Sequence, residues 1–118
     1  MFSGLVIHGN GIGKELGFPT ANIDVHPTKT NLREGVYAGT ATLKNKEYQA
    51  AISVQHIKKK VEVYLLDYNG PDFYGAHMSV EALQQVSQME SLDSLAELRE
   101  KIQKDIQMVR NIFAEENI

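Results

Sequence analysis

The residues best suited to chemistry are concentrated near the amino end, in Gly9–Asn10–Gly11–Ile12–Gly13–Lys14 and the nearby Phe18–Pro19–Thr20–Ala21–Asn22. Alternating glycines let a backbone approach a bulky anion closely and turn several N–H groups toward it, and Lys14 adds a point charge, a combination suited to phosphate. The run differs from two familiar phosphate loops. A Walker A loop would need Gly at position 8 and Ser or Thr at position 15, where His8 and Glu15 stand. A dinucleotide fingerprint would carry its third glycine one position later than Gly13 and lie within a βαβ unit. A tight turn between strands is the competing reading, and spacing alone favours it. Pro19 fixes its own φ and biases Phe18 toward an extended backbone, so Thr20 and Asn22 are offered from a stiff segment, on one side if it is extended. A hydroxyl and an amide oxygen are hard, neutral donors that suit Mg²⁺, whose remaining ligands are waters and substrate phosphates. In the competing reading, Thr20 and Asn22 satisfy backbone groups in a loop.

A second candidate lies in Val61–Glu62–Val63–Tyr64–Leu65–Leu66–Asp67. In a strand, Val61, Val63 and Leu65 face one side, and Glu62 and Tyr64 the other. A carboxylate so placed can accept a proton. Spacing alone favours a solvated outer-face residue paired with Lys58, Lys59 or Lys60, the lysine run itself being a solvated turn. His8, His26, His56 and His77 have no metal-ligand spacing, and no Ser/His/Asp order stands out, so zinc and hydrolase chemistry carry little weight.

The elements that must position these residues are those of one small domain, and 118 residues suffice for a single core. With 42% apolar and 23% charged residues, the chain is neither disordered, collagenous nor a coiled coil. A net charge of −3 offers no broad attraction for nucleic acid or an anionic membrane, so neither is expected as a partner. An oligonucleotide-binding barrel is further weakened by the lack of a basic and aromatic face. No window nears eighteen consecutive apolar residues and no secretory signal is evident, so a soluble, cytoplasmic protein is expected. The absence of cysteine excludes disulfides, a thiolate nucleophile and a Cys-based zinc site.

Residues 1 to about 86 are rich in β-branched and aromatic residues punctuated by Gly, Pro and Asn, and the remainder in Leu, Glu, Lys and Gln. Strands are predicted at Phe2–His8, Val36–Leu43, Tyr48–Val54 and Val61–Tyr68, with a hairpin at Lys44–Asn45–Lys46. No helices separate them, so a small antiparallel barrel or sandwich is expected in place of a parallel sheet. Met78–Val86 is open: Val80, Leu83 and Val86 have helical spacing, while Met78, Val80 and Ala82 alternate as a strand would. Leu95, Leu98, Ile102, Ile106, Val109 and Phe113 recur every three or four residues and predict a helix over about 94–114 that packs on the barrel. Ser94 with Glu97 forms a capping-box pattern, and Glu97/Lys101 and Glu100/Lys104 are favourable pairs.

Taken together, these segments resemble the riboflavin kinase family. The resemblance rests on Gly4–Gly9, the Gly-rich run into Leu16–Asn22, Gly35–Gly39, Val61–Asp67, Asp72–Phe73–Tyr74–Gly75, and the closing helix with Leu98, Ile102 and Asp105. It implies a mainly β fold, a six-stranded antiparallel Greek-key barrel over about 1–90 with a carboxyl-terminal helix, and it favours strand for Met78–Val86. It further implies transfer of the γ-phosphate of ATP to the 5′-hydroxyl of riboflavin, giving ADP and FMN, with Mg²⁺ or another divalent metal. Gly9, Gly11, Gly13 and Lys14 would hold nucleotide phosphates, and Pro19 belongs to the same nucleotide site. Thr20 and Asn22 would position the metal and nucleotide, Glu62 would be the general base, and Leu65, Asp67 and Tyr74 would line the nucleotide side. Positioning and charge neutralisation do most of the work in phosphoryl transfer, so a carboxylate of ordinary basicity suffices. The implied partners are small molecules, and a monomer is expected.

Departures from the family cluster on the flavin side. Where the family carries an Asn/Arg-Pro-Thr-Phe-like loop, only residues 54–60 remain, and the flap positions for Arg, an acidic residue or Lys, and Phe are Ser87, Glu90 and Leu92. A catalytically reduced flavin- or nucleotide-binding regulatory module is therefore the alternative. The chain starts at its first strand with no adenylyltransferase portion before it, so FAD synthesis is not expected.

Overall fold

A computed structural model describes residues 1–9, 17, 18 and 20–116. Six strands, β1 (Phe2–Ile7), β2 (Ala21–Ile23), β3 (Gly35–Leu43), β4 (Lys46–Gln55), β5 (Lys60–Leu65) and β6 (His77–Ser87), precede one long helix, α1 (Leu95–Glu116). The strands close into an antiparallel barrel in the order β1-β2-β5-β4-β3-β6. β3, β4 and β5 form a meander, and β6 returns to lie beside β3, the Greek-key arrangement expected of this sequence.

Local chemistry accounts for most of the strands. β3 and β4 are joined by Lys44 and Asn45, both at positive φ (51° and 66°), inside the closing pair Leu43–Lys46. Two consecutive left-handed residues match the right-handed twist of the flanking strands. β2 is too short to register as a periodic pattern: three residues pair with β1 on one side and β5 on the other.

The open segment resolves as β6. Pairing with β3 skips Val86 and Leu83, which fall at two register shifts, so two bulged residues three apart imitate a helical spacing. Met78 and Val80 point into the barrel, whereas Leu83 is exposed and Val86 joins a cluster outside it. At Gly39 the strands come so close that a Cβ would overlap the Glu81 carbonyl, so this position requires glycine.

Inside the barrel, Val6, Ile23, Ile52, Val54, Val61, Val63, Met78 and Val80 form the main core. A second cluster lies outside the wall, where Ala38 and Ala51, paired across β3 and β4, make a shallow floor for Val109 and Phe113 of α1. Burying such side chains contributes about 1.5–3 kcal/mol each. The expected apolar stripe is therefore used in two ways: Ile106, Val109 and Phe113 are buried, while Leu95 is 56% exposed and Leu98 and Ile102 are half-buried. The carboxyl-terminal half of the helix docks, and its amino-terminal half overhangs a cleft. The Glu97 amide donates to Ser94 Oγ (3.1 Å), as the capping pattern requires. Lys101 pairs with Asp105, one turn further along α1, and not with the expected Glu97, a pairing that neutralises a buried carboxylate on the helix's barrel-facing side.

Candidate active site

The register of three strands builds the polar face of the site. Ser53 on β4, Glu62 on β5 and Asn22 on β2 are successive cross-strand partners. Side chains so paired stand side by side on one face, their Cβ atoms about 4.5–5.5 Å apart. Val61 and Val63 fill the barrel, so Glu62 and Tyr64 project outward, as the alternation predicts.

Glu62 is held on both carboxylate oxygens. Thr20 Oγ1 donates to Oε2 at 3.0 Å. Gln55 Nε2 donates to Oε1 at 3.1 Å, and Lys60 Nζ lies 3.1 Å from the same oxygen. The pairing with a residue of the lysine run is thus realised at Lys60, inside a site and not on a fully solvated face: the Glu62 side chain is 18% exposed. Asn22 is set by its contact with the end of β1. Gly9 lies against its amide, and a Cβ there would overlap Asn22 Nδ2. Absence of a side chain at Gly9 therefore makes room for Asn22. Thr20, Asn22, Glu62 and Gly9 come together; Gly11, Gly13, Lys14 and Pro19 lie outside the described residues.

The remaining candidates stand apart from this group. Leu65 is 6% exposed and belongs to the barrel core, so its side chain faces inward. Asp67, at φ 60°, receives both Arg110 guanidinium arms, Nη1 to Oδ2 at 3.3 Å and Nη2 to Oδ1 at 3.1 Å, which ties the end of β5 to α1. Hydrogen bonding to Asp67 raises the Arg110 pKa above its usual value. Tyr74 stacks on His8 with ring centroids 3.6 Å apart, and the Gly75 amide donates to the Val6 carbonyl, so this aromatic pair flanks Gly9.

A cleft of about 190 Å³ lies between this face and α1, with Glu62 and Tyr64 on the barrel side and Met89, Leu92, Leu98 and Ile102 opposite. The flap positions Glu90 and Leu92 line it, while Ser87 receives a bond from Lys101 (2.9 Å). The bond to Ser87 fastens α1 to the end of β6, while within the helix Lys101 pairs with Asp105 at 2.7 Å. The connection between β4 and β5, where the resemblance implies a loop that closes on the flavin, consists of four residues, 56–59. This connection is anchored by His56, whose amide donates to Glu34 Oε1 and whose Nε2 lies 3.0 Å from the Leu32 carbonyl.

Sequence reasoning missed Gln55, Lys60 as a site residue, and Lys101. Lys60 carried a signal, since a residue two before Glu62 in a strand shares its face. Gln55 carried none, because only the β4–β5 pairing brings it there.

Among the described residues no three His, Cys, Asp or Glu side chains cluster as a metal site. The neutral oxygens that this group of described residues would offer a divalent ion are the Thr20 hydroxyl and the Asn22 amide. Those donors fit Mg²⁺ in kind.

Comparison with known proteins identifies the family of the fold. The family model described as riboflavin kinase matches residues 1–113. An RNA-binding riboflavin kinase of Bacillus subtilis strain 168 is 31% identical, the match covering 96% of this chain and 51% of the relative. A bifunctional riboflavin kinase/FMN adenylyltransferase of Haemophilus influenzae is 32% identical, over 93% and 37%. The chain thus spans about half or less of these two curated relatives. Among solved structures, riboflavin kinase from Trypanosoma brucei matches with TM-score 0.72 and 30% identity, covering 95% of this chain and 75% of that one. A structure described as a macrolide-efflux protein from Streptococcus pneumoniae matches with TM-score 0.75 and 28% identity, over 92% and 38%.

Proposed function

We propose, on the premise that the chain belongs to the riboflavin kinase family, that it transfers the γ-phosphate of ATP to the 5′-hydroxyl of riboflavin, giving FMN and ADP. The observation that carries this reading is the 3.0 Å contact of Thr20 Oγ1 with Glu62 Oε2, which unites a hard oxygen donor with a carboxylate at the edge of an apolar cleft. An acceptor hydroxyl reaching Glu62 from the cleft gives up its proton to the carboxylate as its oxygen bonds to the γ-phosphorus and the bond from γ-phosphorus to the bridging oxygen breaks. Catalysis then rests on placement, since little basicity is demanded when the transferred phosphoryl group is loosely bonded.

Thr20 and Asn22 would hold Mg²⁺, which when bound neutralises charge on the phosphate oxygens. Gly9, Gly11, Gly13, Lys14 and Pro19 would receive the phosphates. Tyr74, beside His8, is the exposed aromatic surface on the nucleotide side. Asp67 and Leu65 would contribute there through the end of β5, with the Leu65 side chain retained in the core. The aliphatic cleft wall suits a flat, apolar ring system. The same reading takes small molecules as partners and the cytoplasm, where ATP is supplied, as the compartment.

The test is direct. Folded protein with ATP, Mg²⁺ and riboflavin should yield FMN by chromatography, and tight riboflavin binding with no FMN would replace the kinase by a flavin-binding module.

A further inference from the structure

We propose that Lys60 and Gln55 form a clamp on Glu62 that selects Oε2 as the oxygen that takes the acceptor proton, so that Lys60 is a positioning residue of the reaction. The inference rests on the kinase reading above. A carboxylate turns readily about its terminal torsion, which has only broad preferences, so an unrestrained Glu62 would divide its time between orientations. Oε1 is occupied twice, by the amide of Gln55 and the ammonium of Lys60, both at 3.1 Å. Two donors use up its two lone-pair directions. Among the described residues Oε2 has one donor, Thr20 Oγ1, so within that set one direction is left for an acceptor hydroxyl.

The clamp is itself braced. Gln55 and Lys60 are cross-strand partners at the β4–β5 end, and Gln55, only 8% exposed, also donates to Ser53 Oγ at 3.0 Å. The Lys60 side chain is 27% exposed, enough shelter for a charge-assisted contact to keep its geometry. The short connection over 56–59 sets this arrangement, because β5 begins at Lys60 immediately after it.

The test is steady-state kinetics of riboflavin phosphorylation with Lys60→Met, Lys60→Arg, Gln55→Leu and the Lys60→Met/Gln55→Leu pair, each shown folded by thermal unfolding. Misorientation of a reacting group costs up to about 100-fold, so Lys60→Met should lower kcat by about 10- to 100-fold. KM for riboflavin and for ATP should change less than kcat, because the clamp acts on the orientation of Glu62, although Gln55 and Lys60 also line the cleft. Lys60→Arg should recover most of the loss. The pair should lose less than the product of the single losses, since both residues act on one oxygen. Unchanged kcat in Lys60→Met, a loss confined to KM, or multiplicative effects in the pair would overturn the clamp while leaving the kinase intact. If Lys60→Met fails to fold, Gln55→Leu carries the same kcat prediction alone, and an unaffected kcat there overturns the clamp. No FMN from the wild-type protein would overturn the kinase reading and the clamp with it.

Discussion

The two walls of the cleft are built differently. On the barrel side, Ser53, Glu62 and Asn22 occupy consecutive ladder positions, the contacts of Gln55 and Lys60 with Glu62 follow from strand register, and Thr20 joins them from just before β2. On the other, Met89, Glu90 and Leu92 come from the stretch between β6 and α1, and Leu98 and Ile102 from the part of the helix that overhangs the barrel. The first wall is over-determined, because a strand slipped by one residue would turn Glu62 into the core and Val61 out of it. The second is held at its ends, by Lys101 on Ser87 and by the docked half of the helix. Groups needing sub-ångström placement thus sit on the ladder, and groups needing only shape sit on the adjustable side.

This contrast can be broken by substitution. The largest effect belongs to the ladder wall: Glu62→Gln should lower kcat by roughly 10²–10⁴-fold with thermal unfolding unchanged, and an unaltered rate would remove Glu62 from the reaction. Thr20→Val, which deletes the donor to Oε2 and one hard oxygen, should lower kcat by about tenfold and weaken the dependence on Mg²⁺, read by metal titration. Leu98→Ala, on the opposite wall, should raise KM for riboflavin by about fivefold while kcat is retained, as expected from loss of apolar contact of about 1 kcal/mol. A fall in kcat without a change in KM there would erase the distinction between the walls. The smallest effect is predicted for Arg110→Ala: the ion pair with Asp67 is solvent-exposed, so loss of stability should stay under about 1 kcal/mol and shrink further in salt, measured by denaturant unfolding.

Much of the scaffold was legible beforehand because its signals are local. The β3–β4 hairpin, the cap at Ser94 and the faces of β5 depend on residues within a few positions of one another. β6 was harder, since two bulges displaced Leu83 and Val86 into a spacing shared with helices. β2 was illegible as a strand, because three residues carry too little pattern to be told from a loop.

Alternation along β5 was enough, by itself, to assign Glu62 and Tyr64 to the face away from Val61 and Val63, because the side-chain period of an extended chain is two whatever surrounds it. The apolar repeat of the final segment likewise determined a helix and its apolar face, but not that only the carboxyl-terminal half of that face would be buried. Only the tertiary pairing decided that Thr20, 42 residues away, meets Oε2 while Gln55, from the neighbouring strand, meets Oε1. Such meetings depend on which strands become neighbours and in what register, and that choice is made by burial of the whole core at once, a quantity no local window contains.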